Sequence, residues 1–329
     1  MSRLIKVLSI DGGGIRGIIA AMVLNVIERA AEKPICQLFD LITGTSTGGI
    51  LALGLTKPNP HDPTQPHYPA EKLIDIYEQE GPTIFSRNVW HRLHSAWNLT
   101  EEKYPSLGIE GVLKDYFEDA LLSQSLTELV VPSYEIEKRD CFFFKRSKAR
   151  ANPSTDDVLV RPVARSSAAA PTYFEPSRLA GGEDKPYWAL IDGGVFANNP
   201  AMCALAEAMV IFGRDNDFLV VSLGTGQLTR PLYYEEAKDW GLAGWAQKII
   251  NIIFDGVQDT VDYQLKQLLP VTDGSTRRYY RFQVELDRGN DDMDDASRTN
   301  LDALRKKADD LILLESAALE NLVSQLRQR

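Results

Sequence analysis

A glycine-flanked serine, Gly44-Thr45-Ser46-Thr47-Gly48, lies between an apolar run at residues 39–42 and a helix-permissive stretch, Ile50-Leu51-Ala52-Leu53. That order predicts a strand, a sharp turn and a helix. A serine at such a turn is held at a strand end with its hydroxyl exposed. Gly44 and Gly48 are expected because the turn is tight and a side chain there would block an incoming substrate. The helix start behind the serine offers free backbone N–H groups and a positive dipole end. Ser46 is therefore a candidate nucleophile. Taken alone, a Gly-x-Ser-x-Gly is better explained as a plain glycine-rich turn, so its neighbours must decide.

Upstream, residues 4–10 read as a buried strand and residues 18–31 as a long apolar helix, joined by Asp11-Gly12-Gly13-Gly14-Ile15-Arg16-Gly17. Strand, glycine loop and helix form a setting for anion binding by backbone amides. Gly12, Gly14 and Gly17 also match a dinucleotide fingerprint. A ribose then needs an acidic residue at the far end of the second strand. Asp40 lies at that strand's start, and the strand ends in the serine turn, so a ribose would find no carboxylate. The loop reads better as an oxyanion hole over Gly12, Gly13 and Gly14, with the Gly13 and Gly14 N–H groups aimed beside Ser46. Arg16 reads equally as a solvated helix-start arginine and as a residue ordering the loop.

A third motif, Asp192-Gly193-Gly194, follows a predicted strand at residues 187–191. Gly193 and Gly194 let the chain turn away and leave the Asp192 carboxylate facing the serine. The plainer reading, an aspartate capping the next turn, ranks below a general base once the other two motifs are present. A Ser–Asp–His arrangement needs a late histidine. His61, His67, His91 and His94 all precede residue 95, which argues for a dyad.

The rest of the chain gives bounds. At 329 residues it can bury a large core, and 44% hydrophobic with 25% charged residues describes an ordinary globular protein. A net charge of −10 argues against nucleic-acid polymers and gives no pull toward an anionic membrane. Cys36, Cys141 and Cys203 are scattered and odd in number, as in a reducing compartment. No metal-ligand cluster or cofactor site is legible; Asp291, Asp292, Asp294 and Asp295 lack EF-hand spacing and read as an acidic start to the last helix. No secretory segment is apparent, and the longest uncharged run, residues 41–56, is shorter than the roughly 20 apolar residues a span needs. A cytoplasmic protein is expected.

Five prolines make residues 57–69 a loop. Helices are expected across 70–125, with Trp90 and Trp97 as core packing, and paired strands across 129–145. The basic run 145–150 reads as a solvated turn. Residues 161–171 read as a small-residue helix stopped by Pro171. A helix near 200–212 and a strand near 218–223 continue the rhythm. Residues 241–257 are apolar on much of their surface and read as a buried helix rather than a membrane-facing one. A strand near 278–286 and an amphipathic helix over 297–327, broken once, complete the chain.

The three motifs in this order resemble those of the patatin-like phospholipases. The likeness extends to Pro171-Thr172-Tyr173-Phe174 and Asn198-Asn199-Pro200, and no motif position departs from the family pattern. It covers about the first two-thirds of the chain, up to Leu228. The resemblance implies an α/β fold: a three-layer α/β/α sandwich with a mostly parallel central sheet and a helical C-terminal part. It implies one hydrolase domain over 1–329, with the catalytic motifs within 1–228. It implies hydrolysis of phospholipid or lysophospholipid acyl esters at a membrane surface, with Ser46 as nucleophile, Asp192 as base and Gly12–Gly14 as oxyanion hole. Arg16, Gly17, Gly44, Gly48, Gly193 and Gly194 would support them. The family also includes bacterial anti-phage lipases switched on by cyclic nucleotides. A cyclic nucleotide is thus a candidate activator, and a ligand-gated effector or scaffold is the alternative reading.

Overall fold

Apolar residues alternate between two cores along each central strand. In β1 (Leu4–Ile10), Ile5 and Val7 face one core while Leu8 and Ile10 face the other. In β2 (Leu41–Gly44), Leu41 and Ile42 divide in the same way. In β3 (Glu128–Glu135), Val130 opposes Leu129 and Val131. Strands buried on both faces must be covered by helices on both faces, which is why they read as near-continuous apolar runs. The result is a three-layer α/β/α sandwich around a mixed, mostly parallel sheet. The structure, a computed structural model, describes residues 3–85, 104–181, 186–271, 276–287, 290 and 292–328. Trp90, Trp97, His91, His94 and Asp291 lie outside the described residues.

The remaining strands are β4 (Asp140–Lys145), β5 (Ser177–Ala180), β6 (Tyr187–Asp192), β7 (Asp217–Leu223), β8 (Gln227–Leu228), β9 (Tyr279–Phe282) and β10 (Glu285–Leu286). The main sheet runs β5-β6-β3-β2-β1-β7-β9, with β4 on the outer side of β3. Strands β3, β2, β1, β7 and β9 are mutually parallel. The chain leaves β1 toward β2 on one side and later returns as β7 on the other. The end of β1 is therefore a topological switch point, where open α/β sheets bind ligands. β1 and β2 finish level, with Ile10 opposite Gly44.

One face carries α1 (Gly17–Ala31) and α2 (Thr47–Thr56), with α3 (Ser106–Phe117) and α4 (Val160–Ser167) near them. Every residue of α2 is buried, as expected of a helix that is apolar all round. The other face carries α5 (Ala201–Phe212) and part of α6 (Leu242–Leu268). The C-terminal helix breaks at Glu315 into α7 (Arg298–Leu314) and α8 (Ser316–Arg327), both against α1. Its N-cap is Ser297, whose hydroxyl accepts from the Asn300 N–H at 3.3 Å.

Two expectations need correction. The 241–257 segment is half-buried, not buried: Phe254 is enclosed, while Trp245, Ile249 and Ile252 are each 38% exposed. No described helix is long and apolar enough to cross a membrane. The basic run 145–150 is largely a helix, Arg146–Ala151, tied down by ion pairs from Lys145 to Glu207 and Arg146 to Glu128.

Candidate active site

Ser46 occupies the turn between β2 and α2 with φ +54° and ψ −124°, a conformation L residues rarely adopt. The turn holds it there. The Ser46 N–H donates to Ser167 Oγ at 3.0 Å, and Ser167 in turn donates to the Pro132 carbonyl at 2.7 Å. The Thr45 hydroxyl donates to the Ala197 carbonyl at 2.6 Å. The flanking glycines are needed for a reason other than substrate access. A Cβ at Gly44 would meet the Gly48 carbonyl oxygen at 2.0 Å, and one at Gly48 would meet the Ile10 carbonyl oxygen at 2.2 Å. Backbone closes on backbone at both positions.

Asp192 reaches this turn by a route the sequence does not show. β6 is antiparallel to its neighbours and pairs only with the second half of β3, Asp192 opposite Ser133. β2 pairs with the first half of the same strand, ending at Thr43 opposite Val130. Two strands thus run head-on along one side of β3, and only Val131 and Pro132 separate their ends. Asp192 is fully buried. Its Oδ1 accepts from the Gly194 N–H at 2.7 Å; Oδ2 is buried without a hydrogen-bond partner among the described residues. Burial pushes the carboxyl up from the ordinary 3.8 to about 7, against the Gly194 N–H and the Ser46 hydroxyl, which favour the ionised form.

The glycine loop bends over the serine. Its Gly12 peptide is pinned on both sides: the N–H donates to the Asn198 carbonyl at 3.0 Å, and the carbonyl accepts from the Thr225 hydroxyl at 2.6 Å. Gly12 therefore has no N–H to offer an oxyanion, which corrects its expected role; a Cβ there would meet Asn198 Oδ1 at 2.4 Å and Ser46 Cβ at 3.3 Å. Gly13 and Gly14 differ. Neither N–H has a hydrogen-bond partner among the described residues. Gly14 takes φ +59°, and a Cβ on it would meet the Met293 carbonyl oxygen at 2.1 Å. That carbonyl accepts the Ile15 N–H at 2.8 Å. Met293 thus braces the glycine loop. Arg16 is buried and its Nε donates to the Gly13 carbonyl at 3.3 Å, so it orders the loop. A Cβ at Gly17 would meet the Tyr77 hydroxyl at 2.4 Å, where Tyr77 and Thr47 share a 2.7 Å hydrogen bond.

Ser46, Asp192, Gly13 and Gly14 line one cleft. Its walls are Ile50, Ile76, Ile84, Phe85, Ile109, Phe174, Phe254 and other apolar side chains. Such a lining suits an alkyl chain and excludes water from the reacting end. His61 and His67 sit in the 57–69 loop beyond the far end of α2, about 15 Å of helix from Ser46. No group of three or more His, Cys, Asp or Glu among the described residues is arranged to hold a metal.

Sequence reasoning missed Ser167, Thr225 and Met293. Ser167 and Thr225 are ordinary polar residues whose roles exist only through contacts far along the chain. Met293 acts through its carbonyl and leaves no trace in the sequence.

A strained serine at a strand–helix turn, beside free backbone donors and an apolar cleft, is the arrangement of an acyl hydrolase of the α/β/α class. The comparisons agree. A family description, Patatin-like phospholipase, matches residues 8–205. Patatin-like protein 4 of Arabidopsis thaliana is 31% identical, with 94% of this chain and 83% of that protein covered. Patatin-like protein 2 of the same plant is 34% identical over the same shares, 94% and 83%. Patatin-T5 of Solanum tuberosum is 30% identical over 95% of this chain and 84% of that protein. VipD from Legionella pneumophila, a solved structure, aligns over 94% of this chain and 67% of its own with 14% identity and a TM-score of 0.36. The chain belongs to the patatin-like phospholipase family and, at the level of that family, is a lipid acyl hydrolase.

Proposed function

We propose that the protein hydrolyses acyl esters of phospholipids or lysophospholipids through Ser46 and Asp192, without histidine. The observation that carries this is the buried Asp192 carboxylate beside Ser46, with one oxygen unpartnered. Asp192 Oδ2 takes the Ser46 proton as Oγ attacks the ester carbonyl carbon. The carbonyl oxygen gains the negative charge and receives the Gly13 and Gly14 N–H groups. The tetrahedral intermediate collapses, the C–O bond to the alcohol breaks, and protonated Asp192 returns its proton to the departing lysolipid or glycerol oxygen. Water then enters, gives a proton to Asp192 and attacks the acyl-serine ester. Collapse of the second intermediate breaks the acyl–Oγ bond, returns the proton to Oγ and releases the fatty acid.

The acyl chain lies along the apolar cleft, and the lipid is drawn from a membrane surface while the protein remains peripheral to it. The test is fatty-acid release from phospholipid and lysophospholipid micelles by wild type and Ser46→Ala. The variant should lose at least 1,000-fold in turnover, by the roughly 10³–10⁶ scale of nucleophile removal. It should melt within about two degrees of wild type and lose labelling by a fluorophosphonate. A Ser46→Ala protein that keeps turning over ends the assignment. Running the same assay with and without cyclic nucleotides tests ligand gating.

A further inference from the structure

One buried ion pair stands behind the glycine loop and is not used by the mechanism. Arg281 lies on β9, opposite Ser222 of β7 and outside the region that carries the motifs. Its guanidinium is 9% exposed and Asp11 is fully enclosed. Arg281 Nη2 donates to Asp11 Oδ2 at 2.6 Å, and Nη1 donates to Ser222 Oγ at 2.8 Å. Ser222 Oγ donates to Asn199 Oδ1 at 3.2 Å, and Ser9 Oγ reaches the same oxygen at 3.4 Å. The neighbour of Asn199, Asn198, gives its carbonyl to the Gly12 N–H. Asp11 is itself the residue before Gly12, and its N–H donates to the Leu223 carbonyl at 2.9 Å.

The guanidinium therefore grips the loop from two sides. One arm holds Asp11, where the loop leaves β1. The other, through Ser222 and Asn199, holds the segment that fixes the Gly12 peptide. With Gly12 fixed at both its N–H and its carbonyl, the backbone that leads into Gly13 and Gly14 is fixed at its start. A fork with two separated donors is what the two tasks need; a lysine ammonium is a single point and satisfies one. Resting on the oxyanion-hole reading above, we propose that Arg281 is a positioning residue for the oxyanion hole, acting through Asp11 on one side and Ser222–Asn199 on the other.

Catalysis is sensitive to displacements of this kind, because donors must meet the oxygen in its transition-state position. The experiment compares wild type, Arg281→Lys, the double variant Asp11→Asn/Arg281→Met and Ser46→Ala on p-nitrophenyl butyrate, with melting temperature and the rate of fluorophosphonate labelling. Arg281→Lys keeps a cation beside Asp11. The double variant removes both charges, so no buried charge is left unpaired. In each folded variant we expect kcat to fall at least tenfold with KM within twofold. Labelling of Ser46 should slow in step, since the phosphoryl oxygen occupies the same hole. A folded variant with kcat within threefold of wild type overturns the inference. So does failure of both variants to fold, because a structural role would then suffice. Ser46→Ala with wild-type turnover would instead overturn the hydrolase reading, so the two failures are distinct.

Discussion

Replacing Asp192 by asparagine should remove the activity and stabilise the protein at alkaline pH. The folded protein holds the Asp192 proton more tightly than the unfolded chain does, since burial raises the carboxyl from 3.8 to about 7. Stability therefore falls as pH rises from about 4 to about 7, and by pH 8 the ionised carboxylate costs the fold about 4 kcal/mol. Asp192→Asn removes that cost. Its carbonyl still accepts the Gly194 N–H, but its NH2 replaces an oxygen that has no partner, a penalty of roughly 1–3 kcal/mol. The net is a gain of about 1–3 kcal/mol at pH 8, shrinking by about 3 kcal/mol at pH 5, where the wild-type carboxyl is already protonated. Activity moves the other way. Loss of a general base costs about 10²–10⁴ in rate. For wild type, the ionised fraction of Asp192 drops from about nine-tenths at pH 8 to about one-tenth at pH 6, so kcat/KM should fall about tenfold across that interval. Fatty-acid release and melting curves at pH 5 and pH 8 measure both effects. An Asp192→Asn protein within tenfold of wild-type turnover refutes the base; a melting shift equal at both pH values refutes the buried-charge argument.

The Thr225 hydroxyl holds the Gly12 carbonyl at 2.6 Å, so Thr225→Val should lower kcat about tenfold or more while KM stays within twofold; unchanged kcat would show that the loop holds its shape without it. Gly13→Val is a poorer probe of the same loop, because its Cβ would lie 2.2 Å from Thr225 Oγ1, and melting temperature should fall together with turnover. Hydrolysis should persist undiminished in excess chelator; activity lost to chelator and restored by calcium contradicts the proposed chemistry.

The parallel part of the fold was legible because it is local. Strands 4–10 and 217–223 and helix 17–31 are written in largely apolar runs, and the glycine loop and serine turn fall between them. The antiparallel approach of β6 was not legible, since residues 187–192 read alike in either direction. β5 escaped notice because Ser177–Ala180 is four residues of alternating exposure at the edge of the sheet. The expected burial of the 241–257 helix failed on amphipathicity. Phe254 turns inward, while Trp245, Ile249 and Ile252 stay more than a third exposed on another face, Trp245 against the Trp240 ring. Arg281 lay in a segment with no motif, and a basic residue in a short strand gives no sign of the carboxylate 270 positions away.

The proposed dyad puts a carboxylate where many hydrolases place an imidazole, and the arrangement of the strands supports it. The proposed nucleophile and base are not linked through flexible side chains. Each stands at the end of a strand, and both strands are hydrogen-bonded to β3. The gap between them is closed by Pro132, which has no N–H to leave unpaired, and whose carbonyl is taken by Ser167. Ser167 also receives the Ser46 N–H, so one hydroxyl ties the Ser46 backbone to β3, the strand on which the Asp192 strand pairs. Helices cover both faces, which keeps Asp192 out of water and raises its pKa. A carboxylate in solution is a weak base toward serine. Held dry at a distance fixed by backbone ladders, with amide donors waiting for the oxyanion, it needs to move a proton only as the new bond forms. On the proposed mechanism the rigidity of the sheet supplies what a histidine relay supplies elsewhere, and the buried charge is the cost of that solution.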